Sequence, residues 1–146
     1  MKKFLLVSAV ALCGAVAAMA GGDGWLTDYD EALAAAAKDG RPVLVDFTGS
    51  DWCGWCVKLD KDTFSKPEWQ SFAKDNLVLL KVDFPKRTNL PAAQEKANDA
   101  LQAKFGVDGF PTLVLLDSKG KEIARHGGYL PGGPGALISW IKSKSN

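Results

Sequence analysis

A Cys-x-x-Cys motif between a strand-like and a helix-like segment is the feature that most constrains this sequence. Residues 52–56 read Trp-Cys-Gly-Trp-Cys, after the largely apolar residues 42–47 and before the charged, helix-compatible residues 57–61. Two cysteines at this spacing can close a small disulfide, bind a metal ion or exchange electrons with the thiol of another protein. Thiol–disulfide exchange needs a strand, a short loop, the cysteine pair and then a helix, so the motif favours redox chemistry.

The amino terminus has the pattern of a secretory signal peptide. Two lysines precede an apolar run over residues 4–16, and residues 18–20 read Ala-Met-Ala, the small-x-small form of a cleavage site. The apolar run is short for a membrane span. We therefore expect residues 1–20 to be cleaved, residues 21–146 to form a single domain, and the mature protein to be periplasmic or secreted.

The cysteine count supports a chemical role for the motif. Cys13 lies inside the predicted signal peptide, and Leu12 before it does not fit a lipid-attachment site, so Cys13 is expected to leave with the peptide. Cys53 and Cys56 would then be the remaining thiols, and a disulfide between them would close too short a loop to stabilise a fold. Two of the 18 basic side chains leave as well, so 16 remain against 17 acidic ones. This balance indicates no nucleic-acid partner.

The hydrophobic pattern predicts alternating helices and strands in one α/β domain. Thr27 is a plausible N-cap for the first helix. The last two strands are joined by a short turn and predict an antiparallel hairpin. Helices are predicted over residues 28–38, 52–61, from about 65, over 91–105 and over 135–144, and strands over residues 43–48, 77–83, 112–116 and 122–126.

Four features follow one another along the chain, namely Val45-Asp46-Phe47, Trp52-Cys53-Gly54-Trp55-Cys56, Lys81-Val82-Asp83 and Gly109-Phe110-Pro111-Thr112. Together and in this order they resemble the thioredoxin-fold superfamily. More narrowly, the chain is similar to exported bacterial thioredoxin-like proteins that carry a Trp-Cys-Gly-Trp-Cys motif. The resemblance covers roughly Tyr29 to Lys142 and implies a thioredoxin fold, in which helices flank a central mixed β-sheet and a further helix lies at the amino terminus.

The position of the cysteines predicts different roles for them. Cys53 lies at or just before the first turn of a helix, where free backbone N–H groups and the helix dipole favour a thiolate. We expect Cys53 to attack a disulfide and Cys56, one turn further on, to resolve the mixed disulfide. The resemblance also implies that the Phe110-Pro111 bond is cis and packs beside the cysteines, where it presents the backbone of Phe110 to a substrate strand.

Asp46 is a charged residue within an apolar strand, which calls for an explanation. The resemblance places it beneath Cys56, where it would relay a proton with a pKa raised by burial, and Lys81 could be its partner. This chain is one residue longer than ordinary thioredoxins between Asp46 and Cys53. The relay requires the loop over residues 48–51 to absorb that residue, and Asp51 is a competing acid.

Several residues around the cysteines are expected to contact substrate. The resemblance places Gly54, Phe110 and Thr112 at the substrate surface. Trp52 and Trp55 would supply an apolar platform for loop or unfolded segments of a partner, although simple packing over the helix end explains Trp52 equally well. Trp55 replaces the proline of thioredoxin's own motif, and this substitution leaves the direction of electron flow open.

These features predict an exported enzyme, a thiol–disulfide oxidoreductase that reduces or isomerises protein disulfides. Its partners would be protein thiols and disulfides and a membrane electron donor, and we expect a monomer whose only redox group is the Cys53–Cys56 pair. One alternative is a zinc- or copper-binding module. The two thiolates supply half of a tetrahedral zinc site, and the sequence offers no second Cys-x-x-Cys. A narrower alternative within the redox class is a reductant for cytochrome c maturation.

Overall fold

The computed structural model describes residues 23–145 and shows a five-stranded sheet flanked by helices. The predicted signal peptide lies outside the described residues. Within residues 23–145 there is no helix both long and apolar enough to cross a membrane. The strands are β1 (Trp25–Leu26), β2 (Val43–Thr48), β3 (Val78–Asp83), β4 (Thr112–Leu116) and β5 (Glu122–Gly127). The helices are α1 (Tyr29–Asp39), α2 (Gly54–Leu59), α3 (Pro67–Asn76), α4 (Ala92–Phe105) and α5 (Gly133–Lys144).

The sheet is mixed and has the strand order β1-β3-β2-β4-β5. Strand β3 pairs in parallel with β1 and with β2, whereas β4 runs antiparallel to β2 and to β5. The central strand β2 aligns Asp46 with Lys81 on β3 and with Leu113 on β4. The expected α/β architecture and the carboxy-terminal hairpin are therefore confirmed.

Strand β2 is buried along its whole length and separates two apolar layers. Val45 and Phe47 belong to the layer that includes buried residues of α1 and α4, whereas Leu44 belongs to the layer that includes buried residues of α3 and α5. Successive side chains of a strand point to opposite faces, so Asp46 shares the face of Leu44. The alternation of side chains along β2 therefore places the Asp46 carboxyl group on the face of the sheet whose apolar layer also includes a buried residue of α2.

Apart from shifts of one or two residues at the ends of elements, the structure differs from the predicted elements in three features. The side chain of Asp28, not of Thr27, caps α1 by accepting the Glu31 N–H at 2.8 Å. Helix α2 ends at Leu59 and continues as a π-helical turn over Asp60–Phe64, where a regular helix to about residue 61 was expected. The two-residue strand β1 was not predicted, because two residues are too few to show a hydrophobic period.

Candidate redox site at the start of α2

Cys53 and Cys56 form a disulfide at the amino-terminal end of α2, with their Cα atoms 5.2 Å apart. Cys53 is the N-cap residue of α2 and has extended backbone angles, and its Sγ accepts the N–H of Cys56 at 3.3 Å. Only 7% of Cys53 and 4% of Cys56 are exposed. Cys53 therefore stands at the helix start and Cys56 lies one turn inside, in the order expected from the sequence.

The loop before β4 contacts the outer cysteine. The Phe110-Pro111 peptide bond is cis, as the resemblance implied, and the Phe110 carbonyl oxygen lies 3.7 Å from Cys53 Sγ. The Thr112 hydroxyl donates to the carbonyl of Gly109 at 2.7 Å, which fixes the loop from its other side. The Gly128 N–H donates to the Pro111 carbonyl at 2.8 Å and ties the end of β5 to the same loop.

A cavity of about 120 Å³ lies behind the inner cysteine. Asp46 is 4% exposed, and its Oδ1 has no hydrogen-bond partner among residues 23–145. A buried polar atom of this kind is normally satisfied by a partner or an ordered water. The cavity therefore offers polar space between the Asp46 carboxyl group and the inner cysteine. The residues that line it are Asp46, Thr48, Ser50, Cys56, Val57, Asp60 and Lys81.

Burial raises the pKa of Asp46 from 3.8 to about 7. The positive charge of Lys81 opposes this rise, and the negative charges of Asp60 and Asp83 add to it. The Lys81 ammonium ion-pairs with Asp23 at 3.5 Å rather than with Asp46. Lys81 therefore acts on Asp46 through its charge across the strand pair. A carboxyl group with a pKa near neutral can both accept and release a proton at physiological pH.

Asp46 lies within β2 opposite Lys81, and a turn leads from the end of β2 to Cys53. The Gly49 carbonyl accepts the N–H of Trp52 at 3.2 Å and that of Cys53 at 2.9 Å. A Cβ on Gly49 would lie 2.5 Å from the nearest ring atom of Trp52, which is a severe overlap, so this position requires glycine. The Asp46 carboxyl group lines the cavity together with Cys56.

Asp51, the acid that could compete with Asp46 for the proton relay, is engaged in hydrogen bonds with the backbone. Its carboxylate accepts the backbone N–H groups of Lys86, Arg87 and Thr88 at 2.9, 2.8 and 3.1 Å. These hydrogen bonds, led by that of Lys86, lower the pKa of Asp51, although partial burial opposes them. A carboxylate held ionised by three donors is a poor proton acceptor. Asp51 therefore fastens the loop after β3 to the turn before Cys53.

The structure places Trp52 in a packed environment. Its indole N–H donates to the Phe84 carbonyl at 2.7 Å, and its ring meets that of Phe110 edge-on at a centroid distance of 6.0 Å. The Lys86 ammonium lies 3.8 Å from the centroid of the Trp52 ring. Trp52 is 38% exposed but is engaged on several sides. The sequence left open whether Trp52 forms a platform for a partner or packs over the helix end, and packing accounts for more of its contacts.

Trp55 is the large apolar ring that remains available beside the disulfide. It is 59% exposed, and the neighbouring Gly54 is exposed as well. The Trp55 ring packs on Tyr129 with centroids 5.4 Å apart. Tyr129, Phe84 and Asp60 belong to the site but were missed in the sequence. Tyr129 and Phe84 lie far from the cysteines along the chain, and Asp60 lies just after them but carries no motif that marks it as facing the cavity.

Residues 23–145 contain no group of three or more His, Cys, Asp or Glu side chains that could hold a metal ion. The fold, the disulfide at the start of α2 and the cis-proline loop beside it together define a thioredoxin-fold protein with a redox-active cysteine pair. The chain belongs to the thioredoxin-like domain family, whose profile matches residues 29–142.

Relatives of known activity agree with this class. The chain is 42% identical over 115 residues to the disulfide bond reductase DsbH of Chlamydia pneumoniae, covering 79% of this chain and 69% of that protein. It is 41% identical over 96 residues to the thiol:disulfide interchange protein DsbD of Cronobacter sakazakii, which covers 66% of this chain but 15% of that protein. A solved structure of a DsbH oxidoreductase matches with a TM-score of 0.76 and 41% identity over 82% of both chains.

The protein is therefore a thiol–disulfide oxidoreductase that acts on protein disulfides. A thioredoxin from Thermus thermophilus, with a TM-score of 0.60 and 24% identity, shares the fold. The metal-binding alternative is not favoured, because these relatives are named for disulfide reduction and interchange.

Proposed function

We propose that the chain is an exported protein-disulfide reductase that receives its electrons from a membrane thiol donor. The observation that carries this proposal is the different setting of the two sulfurs. Cys53 lies at the helix start against the Phe110 carbonyl, and Cys56 borders the cavity that holds Asp46. One sulfur therefore meets the partner, and the other meets a proton-accepting group.

The reaction would proceed by two exchanges from the reduced protein. The Cys53 thiolate attacks one sulfur of the partner's disulfide, which forms a mixed disulfide and releases the other partner sulfur as a thiolate. The Cys56 thiolate then attacks Cys53 Sγ, forms the Cys53–Cys56 disulfide and releases the second partner sulfur. Two electrons pass to the partner, and a dithiol of the donor protein restores the reduced pair by the same exchange.

Asp46 would serve the second exchange. Cys56 must lose its proton before it can attack. Cys56 and the Asp46 carboxyl group line the same cavity of about 120 Å³, so the carboxyl group is near enough to take part in this proton transfer. Because the pKa of Asp46 is about 7, the carboxylate form is available near neutral pH to accept that proton. Lys81, Asp60 and Asp83 would set how readily Asp46 ionises.

Export and the direction of electron flow have separate support. The pattern of residues 1–20 supports delivery to the periplasm or the outside of the cell. The relative with 42% identity is named a disulfide bond reductase, which supports reduction over oxidation. In an oxidising compartment a reductase needs a dedicated donor, because the surroundings would otherwise keep its cysteines oxidised.

A trapping experiment tests the exchange chemistry. In a bacterial host that exports the tagged protein, Cys56→Ser should accumulate disulfide-linked adducts with other proteins, since the mixed disulfide can no longer be resolved. The adducts should disappear on treatment with a reductant. Cys53→Ser is the matched control and should give none, because the remaining Cys56 lies one turn inside α2 and borders the Asp46 cavity rather than the helix start. An absence of adducts in Cys56→Ser would contradict the roles assigned to the two cysteines.

A redox titration against glutathione tests the direction. Reductases of this fold have reduction potentials of about −270 mV and oxidases of about −120 mV, so we expect a value close to the first. A value close to the second would overturn the reductase assignment while leaving the exchange chemistry intact. Fusion of residues 1–20 to a reporter enzyme that is active only outside the cytoplasm tests export independently.

A further inference from the structure

Lys81 lies between the buried acid of the redox site and the edge of the sheet. In the parallel pairing of β2 with β3 it is opposite Asp46, and in the pairing of β1 with β3 Leu79 is opposite Trp25. Aligned residues of neighbouring strands share a face, as do residues two apart along one strand, so Lys81, Asp46 and Trp25 project from the same face. Neighbouring strands are about 4.8 Å apart, so the long, flexible Lys81 side chain can carry its ammonium group towards either Asp46 or β1.

The Lys81 ammonium group is held on the side of β1. Its Nζ lies 3.5 Å from Asp23 Oδ2 and 5.3 Å from the centroid of the Trp25 ring. The other carboxylate oxygen of Asp23 accepts the backbone N–H of Trp25 at 3.2 Å. Trp25 is 5% exposed and packs edge-on against Phe64, with ring centroids 5.0 Å apart. Asp23 is therefore fixed to a residue that belongs to the core.

The position of this positive charge matters more than the strength of the ion pair. The Asp23 side chain is 56% and the Lys81 side chain 24% exposed, and exposed ion pairs contribute little to stability. Lys81 also lines the cavity of Asp46, however, and a positive charge that approaches a buried carboxyl group stabilises its ionised form. The charges of Asp60 and Asp83 act on Asp46 in the opposite sense. The location of the Lys81 ammonium group therefore sets the balance of charge around Asp46.

We propose that Asp23 is a positioning residue for the redox site, because it holds the Lys81 ammonium group at β1 and away from the Asp46 carboxyl group. With the ammonium group at β1, the carboxyl group can exchange a proton with Cys56 near neutral pH. Without Asp23, the ammonium group turns towards the cavity, favours the carboxylate and makes it a weaker base. This inference rests on the proposed role of Asp46 in the second exchange, since it names a residue that tunes the same group.

Carbon-13 NMR of the Asp46 carboxyl group in the oxidised protein tests the position of the charge. The native chain should titrate with a pKa of about 7, and the signal is identified by its absence from Asp46→Asn. An opposite charge within about 4–6 Å lowers the pKa of a carboxyl group by about 1–3, so Asp23→Asn should lower the pKa of Asp46 by about one. Asp23→Glu keeps the negative charge and should restore most of the native value. Asp30→Asn removes an equal charge from α1, outside the cavity lining, and is the matched control, expected to titrate as the native chain.

A double-mutant cycle shows whether Asp23 acts through Lys81. Lys81→Gln removes the positive charge and should raise the pKa of Asp46. In the Lys81→Gln background, Asp23→Asn should have no further effect. An unchanged pKa of Asp46 in Asp23→Asn, or an equal change with and without Lys81, would overturn the inference.

Kinetics of the second exchange separate this inference from the proposed function. In single-turnover reactions of the reduced protein with a peptide disulfide, release of the second peptide thiol is followed as a function of pH. The midpoint of this pH profile should fall by about one in Asp23→Asn, together with the NMR value, and an unmoved kinetic midpoint would show that Asp23 does not serve the reaction. If Asp46→Asn leaves the profile unchanged, the proton transfer assigned to Asp46 is refuted, whereas the NMR titration still decides whether Asp23 positions Lys81.

Discussion

Replacement of Asp46 by asparagine should stabilise the oxidised protein at alkaline pH and have little effect at acidic pH. Asp46 is buried, and its pKa rises from 3.8 in the unfolded chain to about 7 in the fold. Below pH 3.8 the carboxyl group is neutral in both states. Between pH 3.8 and 7 the unfolded chain ionises while the folded chain does not, so the free energy of unfolding falls as the pH rises. Above pH 7 the carboxyl group is ionised in both states, and the free energy of unfolding falls no further.

The magnitude follows from the two pKa values. They differ by about three, and each pKa unit corresponds to about 1.36 kcal/mol, so the ionised carboxylate costs the fold about 4 kcal/mol at pH 8. At pH 4.5 the cost is about 1 kcal/mol, because the unfolded carboxyl group has only begun to ionise. Asparagine is nearly isosteric and does not ionise, so Asp46→Asn avoids this cost.

Urea denaturation of the oxidised protein at pH 4.5 and pH 8 measures the effect. The variant should exceed the native chain in free energy of unfolding by about 4 kcal/mol at pH 8 and by about 1 kcal/mol at pH 4.5. Asp117→Asn is the control. The backbone N–H groups of Lys121 and Lys119 lower the pKa of Asp117, so Asp117→Asn should destabilise the protein to a similar extent at both pH values, which both lie above 3.8. A gain for Asp46→Asn that is absent or equal at both pH values would refute the reasoning.

Two further substitutions test the turn before the disulfide. Gly49→Ala forces a Cβ into the Trp52 ring and should cost about 1–3 kcal/mol of unfolding free energy, measured by thermal denaturation; an unchanged melting temperature would mean that the indole moves freely. Asp51→Ala removes the acceptor of three backbone N–H groups, so amide hydrogen exchange at residues 86–88 should accelerate while exchange in β2 does not. Because the pKa of Asp51 is lowered, its contribution to stability is present above pH 3.8 and is lost at lower pH. If residues 86–88 remain protected from exchange in Asp51→Ala, the hydrogen bonds of Asp51 do not hold this loop.

Most of the fold could be predicted because its strands have strong local patterns. Strand β2 is a six-residue apolar run interrupted only by Asp46 and Thr48, and the hairpin of β4 and β5 is marked by a polar turn. The π-helical turn after α2 could not be predicted, since its hydrophobic spacing resembles that of an ordinary helix over so few residues. The choice of Asp28 over Thr27 as N-cap was equally open, because both residue types cap helices well.

The site was predictable where a motif carries the chemistry and not where folding brings distant residues together. Cys53, Cys56 and Pro111 lie in recognisable motifs, and their mutual contact follows from the family resemblance. Nothing local to Tyr129 indicates that it contacts Trp55, since the two residues come from different elements. The ion pair of Lys81 with Asp23 was likewise beyond sequence analysis, because it depends on how the segment before α1 runs along the sheet edge.

The two apolar layers give the sheet one face that carries the buried Asp46 carboxyl group and an opposite face that does not. The buried carboxyl group faces the layer with α3 and α5, whereas α1 packs in the opposite layer with the other face of the sheet. The outer positions of α1, such as Ala34 and Lys38, are exposed. A fluorophore or a surface linker attached there would lie on the opposite face of the sheet from the Asp46 carboxyl group. The exposed side of α1 is thus the place to immobilise the protein as a redox sensor without altering its chemistry.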